Sequence, residues 1–258
     1  MDIIQLKQIL ETLNSVGINE MVIEPTEKDG VKNTLIRGSN RDRNVVVYHE
    51  IPDLNLTDTV IGIQSVNGLL SRINLFDEAK ASIELDVTGA MVGTILVKQG
   101  RKKATYRCAD PSTLNAPSRI PGELKVSLDN AIMLSKDNVN FLGQAISSMS
   151  LTGNKEERNI TMQVEDGNLT VKIVDGEDDS FTEVMEGVGG DNTERGVWDV
   201  GSFLRVMKKS SETSDIAFRR IIGSDAEVED GGVLFSISEF RVAVFAVADL
   251  DILVIPVA

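Results

Sequence analysis

The sequence predicts an α+β fold in which one unit, two helices packed on antiparallel sheet, is used twice. Three observations carry that expectation. Apolar residues at helical spacing, Leu6, Ile9, Leu13 and Val16, recur 133 residues later as Val139, Leu142, Ile146 and Met149; residues three and four apart share one helix face. A second set, Val66, Leu69, Leu70 and Ile73, recurs at an offset of 134 as Val200, Phe203, Leu204 and Met207. Between the halves runs CADPSTLNAPSRIP, residues 108–121, which holds three of the chain's six prolines. Proline fixes φ and removes a donor, so such a segment stays extended.

The elements follow in order. The first helix carries Leu6, Ile9, Leu13 and Val16 and stops at Gly17, a residue suited to the left-handed C-terminal cap. Strands are expected at Met21–Glu24, Thr34–Arg37, Val45–Tyr48 and Val60–Ile63. Ser65 is placed to cap the second helix, and strands Ile83–Val87, Thr94–Lys98 and Ala104–Cys108 follow it. In the second half Ser135 and Asp199 are the candidate caps. NITMQVEDGNLTVKIVDG reads as a hairpin, because Asp166-Gly167 tolerates positive φ and lies between alternating apolar runs. Ile216–Ile221, Val233–Ile237 and Val242–Val247 are the last expected strands. Each half closes on Ala-Asp, at 109–110 and 248–249. The expected organisation is a domain over 1–109, a connector over 110–121 and a domain over 122–258.

With 41% hydrophobic and 26% charged residues, the chain has the mix of a soluble globular protein. It holds no apolar run near the ~20 residues that span a bilayer, and its start, MDIIQLKQIL, lacks the basic region of a signal peptide. One cysteine, Cys108, excludes an internal disulfide and fits a reducing compartment, so a cytoplasmic protein is expected. The net charge of −14 argues at first against a nucleic-acid partner. The charge is uneven, however: 13 basic and 15 acidic residues precede residue 119, and 13 against 25 follow. Much of the later acidity falls in turn-like runs such as DGEDD and DAEVED, which read as solvated loops.

Catalytic chemistry is hard to assemble from these residues. The single histidine, His49, lies in the strand-like run VVVYHEI, where packing explains it. One His and one Cys cannot supply the usual zinc sets. No G-x-S-x-G elbow, phosphate-binding loop or dinucleotide fingerprint occurs. The expectation is a protein that is not an enzyme and needs no metal or cofactor.

Basic residues instead mark helix faces. At about 100° per residue, Arg205 and Lys209 lie opposite the Val200/Phe203/Leu204/Met207 stripe, with Lys208 beside them. Lys7, Arg72 and Lys136 flank the apolar faces of the other helices, whose outer faces carry small neutral residues such as Gln8, Thr12, Ser71, Asn140 and Gln144. Such faces meet phosphates loosely. Lys102 and Lys103 add a basic hairpin tip, GRKKA.

Taken together, these pieces resemble the DNA polymerase sliding clamps, in particular the trimeric clamp of T-even-type bacteriophages. ADPSTLNAPSRIP, with its ADPST and following AP, is similar to that clamp's connector, and VNGLLSRI at Val66–Ile73 to its first inner helix. The chain is longer than that clamp, with the extra length placed in loops at 187–195 and 210–230. It also ends in an apolar tail, DILVIPVA, that the family pattern does not place.

The resemblance implies a closed ring of three subunits and six domains, with helices lining a hole for duplex DNA and sheets outside. Lys7, Arg72, Lys136, Arg205, Lys208 and Lys209 would then face DNA, with Lys102 and Lys103 as further contacts. An acidic exterior disfavours adsorption, and topological binding tolerates weak, sequence-independent phosphate contacts. The connector would border an apolar pocket receiving peptides of the polymerase, the clamp loader and late-transcription proteins. Leu114, Pro117 and Ile120 would line it, with Leu250, Leu253 and Ile255 alongside. Subunits would pair through the edge strands Ala104–Cys108 and Phe181–Met185. The residues alone leave a second reading open: a viral structural or assembly protein with duplicated domains and no role on DNA.

Overall fold

The computed structural model describes residues 1–117, 125–126, 132–149, 159–175, 179–187, 195–210, 216–222, 235–244 and 248–254. The chain forms two compact units. One comprises Met1–Ser118 with Ala243–Asp251, and the other Arg119–Val242 with Ile252–Ala258.

In the first unit, helix α1 (Ile3–Ser15) begins at Asp2, whose carboxylate accepts from the Ile4 and Gln5 amides. These amides lie in the first turn, where no helical carbonyl can reach them. It ends as expected at Gly17, φ +88°. The Ile18 amide donates back to Leu13 O at 2.9 Å and the Gly17 amide to Asn14 O, the paired bonds of a left-handed helix stop. Strands β1 (Glu20–Lys28), β2 (Val31–Ser39), β3 (Val45–Ile51) and β4 (Ile61–Ile63) follow. They form an antiparallel sheet in the order β4-β1-β2-β3. Helix α2 (Val66–Ile73) is capped by Ser65, which accepts from the Gly68 amide. Strands β5 (Ser82–Thr88), β6 (Met91–Gln99) and β7 (Lys102–Arg107) make a second antiparallel sheet. Asp110 then caps a 3₁₀ turn, Pro111–Thr113.

The core of this unit is the apolar face of both helices against the sheet. Leu6, Ile9, Leu10 and Leu13 of α1 and Val66, Leu69 and Ile73 of α2 are buried with Met21, Ile23, Ile36, Val47 and Ile61. Each such side chain contributes about 1.5–3 kcal/mol on burial.

The second unit opens with two short strands, β8 (Lys125–Val126) and β9 (Ile132–Leu134). Helix α3 (Lys136–Ser148), capped by Ser135, has the same 13-residue length as α1. Strands β10 (Asn159–Glu165), β11 (Asn168–Asp175), β12 (Asp179–Met185) and β13 (Arg195–Asp199) form an antiparallel sheet in the order β12-β11-β10-β13. That order is the counterpart of β3-β2-β1-β4. The β10–β11 turn places both Asp166 and Gly167 at positive φ, which matches the right-handed twist of the flanking strands. Ile160/Ile173, Met162/Val171 and Val164/Leu169 are opposed on its buried face. Helix α4 (Val200–Ser210) starts where the Asp199 carboxylate accepts from the Ser202 amide at 2.6 Å. Strands β14 (Ile216–Ile222) and β15 (Phe235–Val244) follow, with β14 paired to β15, β8 and β9, and the chain closes with β16 (Ala248–Val254), of which Ala248–Asp251 belong to the first unit.

Each repeat therefore reads helix, four strands, helix, three strands, with β8 and β9 as additions before α3. Two expectations near the end need correction. Val233–Ile237 and Val242–Val247 are not two successive strands, because β15 runs unbroken from Phe235 to Val244. The closing strand instead begins at Ala248 and runs into the apolar tail, so part of the tail belongs to the third strand of the repeat. Its period-2 apolar pattern, Leu250/Ile252/Val254, is continuous with the preceding segment, and periodicity alone does not mark where one strand stops. The expected loops at 187–195 and 210–230 lie largely outside the described residues.

Candidate functional site

Helix α4 presents the most cationic face of the described helices: Arg205, Lys208 and Lys209, with no acidic residue between Val200 and Ser210. Its buried stripe is Val200, Phe203, Val206 and Met207, with Phe203 against Trp198 at a ring distance of 6.1 Å. Val206 in the stripe, with Leu204 only half-buried, rotates the buried face from the one the sequence suggests. Arg205 and Lys208 are consequently the exposed pair, and Lys209 is half-buried.

Lys7 on α1 donates to Glu78 Oε2 at 2.9 Å and lies 3.8 Å from Glu11 Oε1. The bond to Glu78 raises its pKa above the ordinary lysine value. Arg72 on α2 bonds to Thr105 O through Nε at 3.0 Å and to Gly68 O through Nη1 at 2.6 Å, with its guanidinium 5.4 Å from the Tyr106 ring centre. Tyr106 in turn accepts from the Ser65 amide, tying the start of α2 to β7. Lys102 and Lys103 are exposed at the start of β7. Lys136 is the first residue of α3, and its side chain lies outside the described part.

The connector is held to the sheet of the first unit. The Asn115 amide donates to Glu20 Oε2 at 2.8 Å, and Ser39 Oγ donates to Asn115 O at 2.8 Å. Arg43 donates to the Asn115 side-chain oxygen. Arg37 donates through Nη1 to Pro117 O at 2.6 Å and is paired with Glu24. Leu114 and Pro117 are half-buried. Leu250 and Leu253 fall on strand β16, while Ile120 and Ile255 lie outside the described residues. The structure thus brings Leu114 and Pro117 onto one anchored segment.

Glu20, Glu24, Arg37, Ser39 and Arg43 were not singled out by sequence. No local signal marked them: Ser39 stands in the polar run RGSNRDRN, and only its burial shows that its hydroxyl demands a partner. Ser39 is 1% exposed. The proposed edge strands are also located: β7 ends the β5-β6-β7 sheet, and β12 ends the β12-β11-β10-β13 sheet.

Among the described residues no group of three or more His, Cys, Asp or Glu is arranged to hold a metal, and no helix is long and apolar enough to cross a membrane. Cys108 is partly buried, and desolvation pushes its thiol up to about 11.

No family model matches the sequence, and no curated protein is significantly similar to it. Solved structures are similar in fold. A. fulgidus PCNA bound to the C-terminal region of FEN-1 aligns over 100% of this chain and 97% of its own, at 17% identity and a TM-score of 0.59. The Helicobacter pylori beta clamp bound to a DNA ligase peptide aligns over 100% of this chain at 13% identity and a TM-score of 0.62. Caulobacter crescentus pol III beta aligns over 98% at 13% identity and a TM-score of 0.63. This chain spans 65% of the length of each of those two bacterial proteins. The chain has the sliding-clamp fold: duplicated domains, each with two helices packed on antiparallel sheet.

Proposed function

We propose that this chain is a DNA sliding clamp of the T-even-type bacteriophage group. In this reading three copies close into a ring of six units around duplex DNA, without sequence specificity, and tether the replicative polymerase. The clamp does no chemistry of its own and works in the host cytoplasm. Its connector takes peptides from the polymerase, the clamp loader and late-transcription proteins. The observation that carries the reading is the repeat of helix, four strands, helix, three strands in a fold shared with clamps along the whole chain. The connector and inner-helix motifs support the phage assignment.

The sheet ends also support how copies join. Strands β7 and β12 each end a sheet, and a β7 edge of one copy beside a β12 edge of the next joins copies head to tail. The two edges differ in charge: β7 bears Lys102, Lys103 and Arg107, and β12 bears Asp179 and Glu183, with Glu186 just beyond. Opposite charges favour this head-to-tail register over like edges meeting. Within the ring, Arg205 and Lys208 are the strongest phosphate contacts. Lys7, Arg72, Lys136, Lys209, Lys102 and Lys103 are subsidiary.

Light scattering during size-exclusion chromatography tests the assembly across a dilution series. A species near three times 28.1 kDa supports it. A single-chain mass at every concentration, at low salt as well as high, counts against the ring and favours a structural protein with duplicated domains.

A further inference from the structure

We infer that Asn115 anchors the first half of the connector as a fixed strap and thereby positions Leu114 and Pro117 for partner docking, a role that rests on the clamp reading above. Exposed connecting segments are ordinarily the mobile part of a fold. Here one exposed residue has its N–H, its C=O and its side-chain oxygen each engaged by a different group: Glu20, Ser39 and Arg43. Glu20 and Ser39 are directly opposite each other in the β1–β2 register. One rung of that ladder therefore grips both backbone groups of one residue, with the acceptor charged on one side. Two residues on, the Pro117 carbonyl is held by Arg37, which Glu24 orients from β1. Asp110 fixes the other end by capping the 3₁₀ turn.

Leu114 and Pro117 flank the anchor on either side and sit half-buried. A partner segment meets them already ordered, so binding does not have to immobilise this stretch of connector. Asn115 is a positioning residue: it presents no apolar surface itself but sets where its neighbours stand.

Hydrogen exchange on the full-length chain tests the anchor. In the wild type the Asn115 amide is protected. Replacing both backbone grips, Glu20→Ala with Ser39→Ala, lowers that protection by about tenfold or more, while amides in β1 such as Val22 keep theirs. Glu20→Gln retains an acceptor oxygen and most of the protection. The second readout is stimulation of a T-even-type phage replicative polymerase on primed circular DNA. The double variant needs about tenfold more polymerase for half-maximal stimulation, yet reaches the wild-type maximum. An Asn115 amide exchanging at the unprotected rate in the wild type overturns the anchor. Lost protection with an unchanged polymerase requirement overturns the positioning role. If the wild type stimulates no polymerase, the clamp reading fails with it, and the exchange result alone decides whether the strap is anchored.

Discussion

Arg72 Nε lies 3.0 Å from the backbone oxygen of Thr105, so a basic residue of α2 is tied to the outermost strand of the β5-β6-β7 sheet. Its place over Tyr106 of β7 adds to the tie, and its second bond, to Gly68 O, braces the side chain along α2 itself. Each neutral-acceptor bond is worth about 1 kcal/mol net, and a partly exposed cation over a ring about 0.5–1 kcal/mol. Arg72→Ala should therefore lower unfolding stability by about 1–2 kcal/mol in urea titration. An unchanged midpoint would contradict a stabilising tie between α2 and β7.

Charge reversal on α4 should behave in the opposite way. Arg205→Glu with Lys208→Glu changes two exposed residues, and such surface changes usually stay within about 0.5 kcal/mol each. Circular dichroism melts should be close to wild type. Affinity for DNA at fixed salt should fall about tenfold or more, and its dependence on salt should flatten, since fewer phosphates are neutralised. An unchanged salt slope would place the phosphate contacts on other residues.

Gly62 shows why one glycine on β4 has no substitute. A Cβ there would lie 2.3 Å from Ala109 O, a backbone atom that cannot swing away. Gly62 O also accepts the Ala109 amide at 3.0 Å, joining β4 to the start of the connector. Gly62→Ala should cost about 1–3 kcal/mol or more through forced backbone shift, read as a drop in Tm. A neutral Gly62→Ala would mean that this junction is looser than its hydrogen bond indicates.

Cys108 gives a prediction in pH. Burial moves its thiol from 9.0 to about 11, so near pH 8 the folded chain holds about 100-fold less thiolate than an ordinary cysteine. Alkylation of native protein should be correspondingly slow and should return to the ordinary rate in denaturant. Because the folded pKa is raised, the associated stability is fully present below pH 9 and is lost as pH rises through 11. Equal alkylation rates for folded and denatured chain at pH 8 would contradict the burial.

What the sequence makes legible is what acts locally. Ser65, Ser135 and Asp199 cap helices by reaching amides three residues on, and Asp166-Gly167 turns a chain whose flanking apolar residues alternate. Those signals sit within a few positions of their effect. Lys7 with Glu78, Glu20 with Asn115 and Arg72 with Thr105 join residues 71, 95 and 33 positions apart. No spacing rule announces such pairs, so residues read as open cationic faces prove to be partly engaged. The end of the chain failed for another reason: β15 and β16 share an alternating apolar pattern, which hides the break between them.

The central claim is topological, and retention on DNA tests it most directly. Wild-type chain is loaded by a clamp loader with ATP onto nicked circular duplex, free protein is removed by gel filtration at high salt, and a single restriction cut is then made. The account predicts that protein stays with the circle and leaves within the time of the cut, because a ring slides off an end that its weak phosphate contacts cannot hold. Equal retention on circular and linearised DNA, or none on either, would contradict it.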